Sequence, residues 1–147
     1  MSELVAGNRM WFLLIAILSI AGILVSAVSL QRHYAKSATE FCDFSQKFNC
    51  DIVNRSEYSE TEGVPVAAVG VLGYAALFFL STFSKARAET PNRLLAASLA
   101  GLCFALYLTY VEAHTLKTWC ILCVVSQALI FLITVSAAIV KLRSARA

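Results

Sequence analysis

Residues 119–140 read WCILCVVSQALIFLITVSAAIV and decide the fold, because they contain no Asp, Glu, Lys or Arg. The hydrocarbon core of a bilayer is about 30 Å thick, and a helix needs about 20 apolar residues to cross it. The stretch meets that requirement and is predicted to be a transmembrane helix. Its first residues form a Cys-x-x-Cys motif, Cys120 and Cys123, so the helix is expected to bring two thiols to one membrane surface.

Three further stretches meet the same requirement, at about residues 10–30, 64–83 and 94–114. The first of them follows Arg9 and has some features of a secretory signal peptide. Its apolar run is longer than a typical signal sequence needs, so it is interpreted as a retained helix, with cleavage as the alternative. Together the four stretches predict a polytopic, all-α membrane protein.

The composition supports a membrane protein. Hydrophobic residues make up 59% of the 147 residues and charged residues 14%, with a mean hydropathy of +0.74. A soluble domain is about half apolar and a quarter charged, and disorder requires low hydrophobicity. The net charge of +3 is too small to indicate nucleic-acid binding. We expect a single four-transmembrane-helix domain over residues 1–147, with one long loop at about 31–63.

The positions of Lys and Arg predict the orientation, because these residues concentrate in cytoplasmic segments close to the span ends. With four spans, both termini and the short loop at 84–93 lie on one side. The basic residues on that side are Arg9, Lys85, Arg87, Arg93, Lys141, Arg143 and Arg146. The basic residues of the long loop are more dispersed and are interspersed with acidic ones. We therefore expect cytoplasmic termini and an outward-facing long loop.

This orientation places four of the five cysteines at the outward membrane face. Cys42 and Cys50 lie in the long loop, and Cys120 and Cys123 begin the fourth span. Disulfides persist in compartments outside the cytoplasm. Cys103, in the middle of the third span, is interpreted as a small buried hydrophobic residue.

Three roles are open for the four outward cysteines. Two structural disulfides are possible, although a bond across two intervening residues closes a small ring and stabilises little. Four thiolates can bind zinc, but structural zinc sites usually take their cysteines in closely spaced pairs, and the Cys-x7-Cys spacing of the loop pair is too wide for such a pair. The third role is a relay, in which one pair exchanges with a soluble partner and the other meets a lipid-soluble oxidant. A dithiol at the lipid boundary has a quinone available as a two-electron acceptor.

Five segments resemble the vitamin K epoxide reductase family in its bacterial form. They are residues 41–50 (FCDFSQKFNC), 56–58 (SEY), 63–74 (GVPVAAVGVLGY), 107–112 (YLTYVE) and 119–126 (WCILCVVS). The similarity extends over all four predicted spans, and the order and spacing of the cysteines agree with their positions relative to the spans.

The resemblance implies a role for each cysteine. Cys120 and Cys123 would form the active-site pair, with Cys123 deeper and beside the quinone. Cys50 would attack Cys120 to form an interpair disulfide, and Cys42 would exchange with the outside partner. Ser56 matches a family position near the quinone pocket.

The resemblance also implies a membrane thiol:quinone oxidoreductase that supports disulfide-bond formation outside the cytoplasm, with ubiquinone or menaquinone as acceptor. Because the chain ends soon after its fourth span, a separate extracytoplasmic thioredoxin-fold oxidase is the expected partner. The expected location is the bacterial inner (plasma) membrane. A vitamin K quinone or epoxide reductase using the same cysteines is the alternative, and a scaffold with purely structural cysteines is a third. Vertebrate epoxide reductases place a tyrosine where this chain has Gln127, so quinone reduction is preferred.

Ser126 and Gln127 are candidate quinone-binding residues. They follow Cys123 by three and four positions, and such positions share one face of a helix. Either side chain can hydrogen-bond a quinone carbonyl, and the alternative is an interhelical hydrogen bond within the bundle. Tyr58 is expected to cover the pocket from the long loop. The alternative is that its side chain anchors the loop at the membrane interface.

Glu112 and His114 lie at the outward end of the third span. Ionisable residues within a span are functional candidates, but these two are close enough to water to be interfacial. Quinone reduction consumes two protons with two electrons, so Glu112 is a candidate for proton delivery.

Overall fold

A computed structural model describes residues 2–34, 60–61, 64–83, 89–116 and 121–146. Over these ranges the chain forms four α-helices: α1 (Ser2–Tyr34), α2 (Val66–Thr82), α3 (Thr90–Tyr110) and α4 (Ile121–Arg146). A π-helical segment, Val111–Leu116, continues α3. Two short strands, β1 (Glu60–Thr61) and β2 (Val64–Pro65), pair antiparallel just before α2. The all-helical membrane bundle predicted from the sequence is confirmed.

Two helices extend well beyond the apolar stretches that predicted them. Helix α1 begins at Ser2 instead of residue 10, and α4 continues to Arg146 instead of ending near residue 140. The apolar run marks only the part that lies in hydrocarbon, whereas backbone hydrogen bonding continues into the interface. Arg143 and Arg146 occupy the last turn of α4, where positive charge interacts favourably with the helix dipole.

The four helices differ in length. Within the residues that the structure describes, three segments are long and apolar enough to cross a membrane: Gly7–Gln31 within α1, and the whole of α3 and α4. Helix α2 is apolar but has 17 residues, which at 1.5 Å per residue gives about 25 Å. That is the lower limit for a spanning helix. Pro65 directly precedes α2, where its missing N–H interrupts no helical hydrogen bond.

Helix α1 makes extensive contacts with two other helices. It packs against α2 and α4, while α3 packs mainly against α4 and makes a smaller contact with α2. The buried core consists of Phe12, Ile15, Tyr74, Leu77, Leu94, Ile130, Ile133, Ala137 and Val140. The segment that has some features of a signal sequence is therefore an integral part of the bundle core.

The distribution of polar residues is that expected of a bundle in lipid. Several serines are buried between the helices: Ser19, Ser26, Ser29, Ser81, Ser98 and Ser136. Large apolar side chains lie on the outer surface, among them Leu13, Leu24, Leu72, Phe79 and Phe131. Small residues let membrane helices approach closely, and lipid tails solvate the outer leucines and phenylalanines.

Candidate functional site

The first two turns of α4 hold the predicted site residues that the structure describes: Cys123, Ser126 and Gln127. The other predicted site residues, Cys42, Cys50, Ser56, Tyr58 and Cys120, lie outside the described residues. The described part of the site consists of the first turns of α4 and the helices that pack against them.

Cys123 is half-buried at the edge of a small apolar cluster. Leu122, which is buried, is at the centre of this cluster, and Cys123 packs against it together with Val25 and Val28 of α1. Cys123 and an apolar wall of α1 therefore contact the same leucine. A lipophilic ring could lie against such a wall, because ligand pockets are lined mainly by apolar side chains.

Ser126 and Gln127 lie one turn along α4 from Cys123 and share its face. The helical rise places them about 4.5–6 Å further along the axis. Both side chains are half-buried. Two polar side chains thus lie within the apolar bundle, close to the cysteine, and each needs a hydrogen-bond partner there.

Tyr74 of α2 is the partner of Ser126. Its hydroxyl oxygen lies 2.7 Å from the Ser126 carbonyl oxygen and 2.8 Å from Ser126 Oγ. A phenol has one proton to donate. When Tyr74 donates to the carbonyl, the Ser126 hydroxyl donates to Tyr74, and the two hydroxyls satisfy each other inside the bundle.

Gly22 of α1 makes room for the Tyr74 ring. A Cβ atom at Gly22 would lie 2.3 Å from Cδ1 and 2.4 Å from Cε1 of Tyr74, closer than real Cβ atoms approach. Tyr74 is only 5% exposed. The ring is held between α1 and its own helix while its hydroxyl reaches α4, so Tyr74 connects three helices.

Thr109 of α3 is the partner of Gln127. Its hydroxyl donates to Gln127 Oε1 and also lies 2.9 Å from the Ala105 carbonyl oxygen. One hydroxyl proton serves one acceptor at a time. If the amide oxygen and nitrogen of Gln127 exchange places, Gln127 donates to Thr109 and Thr109 donates to Ala105, which satisfies both.

Tyr74, Thr109, Ser126 and Gln127 together form what we term the polar layer. The interhelical hydrogen bonds considered from the sequence as an alternative are present for both Ser126 and Gln127. Such bonds contribute about 0.6 kcal/mol each on average in membrane proteins. The polar layer therefore fixes α4 to α2 on one side and to α3 on the other, one turn from Cys123.

Tyr74 and Thr109 are not among the site residues predicted from the sequence, although both lie in segments that resemble the family. A signal was available, because a tyrosine in the middle of an uncharged span needs a partner for its hydroxyl. The identity of that partner depends on which helices are neighbours.

Two residues of α3 and its continuation lie away from the polar layer. Cys103 is exposed on α3, so its predicted burial is wrong: α3 packs mainly against one helix and leaves this face outside. His114 is exposed on the π-helical segment, and its ring lies 4.7 Å from that of Tyr110. Nothing is described for the Glu112 side chain.

A known protein family matches most of this chain. The model of the vitamin K epoxide reductase family matches residues 13–138. The match includes all of α2 and α3, the four members of the polar layer, and Cys123.

Proposed function

Because the chain belongs to the vitamin K epoxide reductase family, a family of membrane redox enzymes, we propose that it is a thiol:quinone oxidoreductase. It reoxidises a thioredoxin-fold partner outside the cytoplasm and passes the electrons through two cysteine pairs to a quinone. The residues involved are Cys42, Cys50, Cys120 and Cys123. The observation that supports this most directly is the position of Cys123, half-buried against Leu122 and one turn from the polar layer.

The proposed relay has three balanced steps. The partner's dithiol reduces the Cys42–Cys50 disulfide and becomes a disulfide itself. The loop dithiol then reduces the Cys120–Cys123 disulfide, through a mixed disulfide between Cys50 and Cys120. Finally the Cys120–Cys123 dithiol is reoxidised to its disulfide, and two electrons and two protons pass to the quinone. Strongly oxidising thioredoxin-fold oxidases have reduction potentials of about −120 mV, so an acceptor of higher potential is required.

The residues present fit a quinone as electron acceptor. Val25, Val28 and Leu122 supply an apolar wall, and Ser126 and Gln127 supply hydrogen-bonding groups on the Cys123 face. A quinone has an apolar ring with two carbonyl acceptors, which matches that combination. When bound, it accepts the electrons, while the protein holds the ring beside the thiol and excludes water. Ser56 and Tyr58 are proposed to complete the pocket from the loop.

We propose that the chain is one membrane domain in the bacterial inner membrane, with both termini in the cytoplasm. The basic end of the described bundle supports this orientation. Arg143 Nη1 donates to the Gly7 carbonyl oxygen at 3.0 Å, and Lys141 donates to Asn92 Oδ1. These bonds gather basic side chains of α4 with the first residues of α1 and α3, at the end opposite Cys123.

Quinone reduction by the purified protein tests the proposal. The protein in detergent is supplied with dithiothreitol and a short-chain ubiquinone or menaquinone, and the quinol formed is followed by absorbance. Cys123→Ala is expected to abolish turnover. Cys103→Ala is the matched control, because Cys103 is exposed on α3, outside the polar layer, and it should retain full turnover. Undiminished quinone reduction by Cys123→Ala would exclude the proposed route.

A second assay distinguishes the alternative substrate. Vitamin K epoxide replaces the quinone under the same conditions, and loss of the epoxide is measured by chromatography. The proposal expects much faster quinone reduction than epoxide reduction. A faster epoxide reaction would instead identify a vitamin K epoxide reductase.

Communication between the pairs is tested by trapping. In the double variant Cys42→Ala, Cys123→Ala, one cysteine of each pair remains, and Cys50 and Cys120 should form a disulfide that is visible after proteolysis on a non-reducing gel. If Cys50 and Cys120 both remain free thiols and added quinone changes nothing, the relay is excluded. The cysteines would then have structural or metal-binding roles.

A further inference from the structure

The Tyr74 hydroxyl lies almost equally close to two acceptors of Ser126, the carbonyl oxygen at 2.7 Å and Oγ at 2.8 Å. Two hydrogen-bond arrangements are therefore possible at the same heavy-atom positions. In one, Tyr74 donates to the carbonyl and the Ser126 hydroxyl donates to Tyr74. In the other, Tyr74 donates to Ser126 Oγ, and the Ser126 hydroxyl is free to donate its hydrogen bond to a different acceptor. Rotation about two C–O bonds interconverts them.

We propose that Tyr74 is a positioning residue for the quinone reaction and acts through Ser126. The inference rests on the proposed function. In the presence of a quinone carbonyl beside Cys123, the second arrangement directs the Ser126 proton at that carbonyl. Tyr74 then donates to Ser126 Oγ and holds it in place. Without quinone, the first arrangement keeps both hydroxyls satisfied in the bundle.

The surroundings of Tyr74 hold its oxygen still while the protons reorient. The ring is 5% exposed and lies against the Gly22 backbone, where no side chain intervenes. A serine in a membrane helix can bond the carbonyl one turn earlier in its own helix, here that of Leu122. Tyr74 gives the Ser126 hydroxyl a partner on another helix instead. Gln127 is held independently, because its partner, Thr109, belongs to α3.

The experiment measures kcat and KM for a short-chain ubiquinone in Tyr74→Phe, Ser126→Ala and the double variant. Tyr74→Phe keeps the ring on Gly22 and removes only the hydroxyl. A neutral hydrogen bond corresponds to about a two- to tenfold change in binding. We expect KM to rise by that factor in each single variant, with a smaller change in kcat. The double variant should be no worse than Ser126→Ala alone, because Tyr74 acts through Ser126.

Tyr107→Phe is the matched control, since Tyr107 is exposed on α3 and should leave KM unchanged. An unchanged KM in Tyr74→Phe would overturn the inference, as would additive effects in the double variant. Thermal unfolding verifies that each variant is folded. Should Tyr74→Phe not fold, Ser126→Thr, which keeps a hydroxyl, must retain the KM that Ser126→Ala loses, and equal losses in both would overturn the inference.

Failure of the inference and failure of the proposed function give different results. If the proposed function is wrong, Cys123→Ala and the unmodified protein do not differ in quinone reduction, whatever Tyr74→Phe does. If only the inference is wrong, Cys123→Ala is inactive, whereas Tyr74→Phe and Ser126→Ala have the kinetics of the unmodified protein.

Discussion

Gly22 and Tyr74 are in direct contact between α1 and α2, with the backbone of one against the ring of the other. The space between them is smaller than a methyl group, since a Cβ atom at Gly22 would lie 2.3–2.6 Å from three ring carbons. The contact holds the ring whose hydroxyl reaches Ser126. The close approach of α1 and α2 therefore determines where Tyr74 can hold Ser126 of α4.

Substitution of Gly22 tests this contact. Gly22→Ala forces the rigid ring or the α1 backbone to move, and overpacking of this kind costs about 1–3 kcal/mol. We expect a lower thermal unfolding temperature in detergent and weaker quinone reduction. Gly73→Ala is the control in the neighbouring helix, because a Cβ there meets nothing within 4 Å. Equal unfolding temperatures for the two variants would contradict the contact.

A second close approach joins the same helices. A Cβ at Gly70 would lie 2.7 Å from Ser26 Oγ and 3.4 Å from Ser26 Cβ. Gly70→Ala is expected to destabilise the protein, and Ser26→Ala in the same chain should restore much of the loss by removing the oxygen. The unfolding temperatures of the two single variants and the double variant measure this coupling. Purely additive effects would show that the two residues are not in contact.

The hydrogen bond between Thr109 and Gln127 predicts a stabilising role for a threonine of α3. Thr109→Val removes the hydroxyl at nearly constant size and should lower the free energy of unfolding by about 0.6 kcal/mol. It should also raise the KM for quinone, because Gln127 loses its anchor. Thr82→Val is a suitable control, since Thr82 Oγ1 donates to the Phe78 carbonyl of its own helix. An effect of Thr82→Val as large as that of Thr109→Val would rule out a specific contribution from the interhelical bond.

The proposed orientation predicts which helix ends face the cytoplasm. Gln31 and Arg146 are exposed near the last turns of α1 and α4, at opposite ends of the bundle. In a chain lacking the native cysteines, Gln31→Cys should react with a membrane-impermeant maleimide in intact cells. Arg146→Cys should react only after the membrane is opened. The reverse pattern would place the cysteine pairs on the cytoplasmic side. It would then rule out the proposed extracytoplasmic partner.

The sequence was sufficient to predict the helices, because long uncharged runs such as residues 119–140 have few structural alternatives. It also predicted that Cys123, Ser126 and Gln127 share a face, since that follows from helical periodicity. The lengths of α1 and α4 were underestimated, because hydropathy ends at the membrane interface but the helix does not.

The partners of the polar groups could not be predicted in the same way. Tyr74 is 52 positions from Ser126, and Thr109 is 18 from Gln127. These pairs depend on which helices are adjacent and how they are rotated. A single sequence shows that a hydroxyl in a span needs a partner, but not which helix provides it.

The 17 residues of α2 have a consequence for the surrounding lipid. A helix of about 25 Å in a hydrocarbon layer of about 30 Å leaves a hydrophobic mismatch of about 5 Å. The bilayer can compensate by thinning beside a short helix, at a cost of fractions of a kcal/mol per Å. The annulus next to α2 is therefore expected to be thinner than the bulk membrane. Lipids with shorter acyl chains should stabilise the protein. Lipids with longer acyl chains should destabilise the packing of α2, the helix that carries Tyr74.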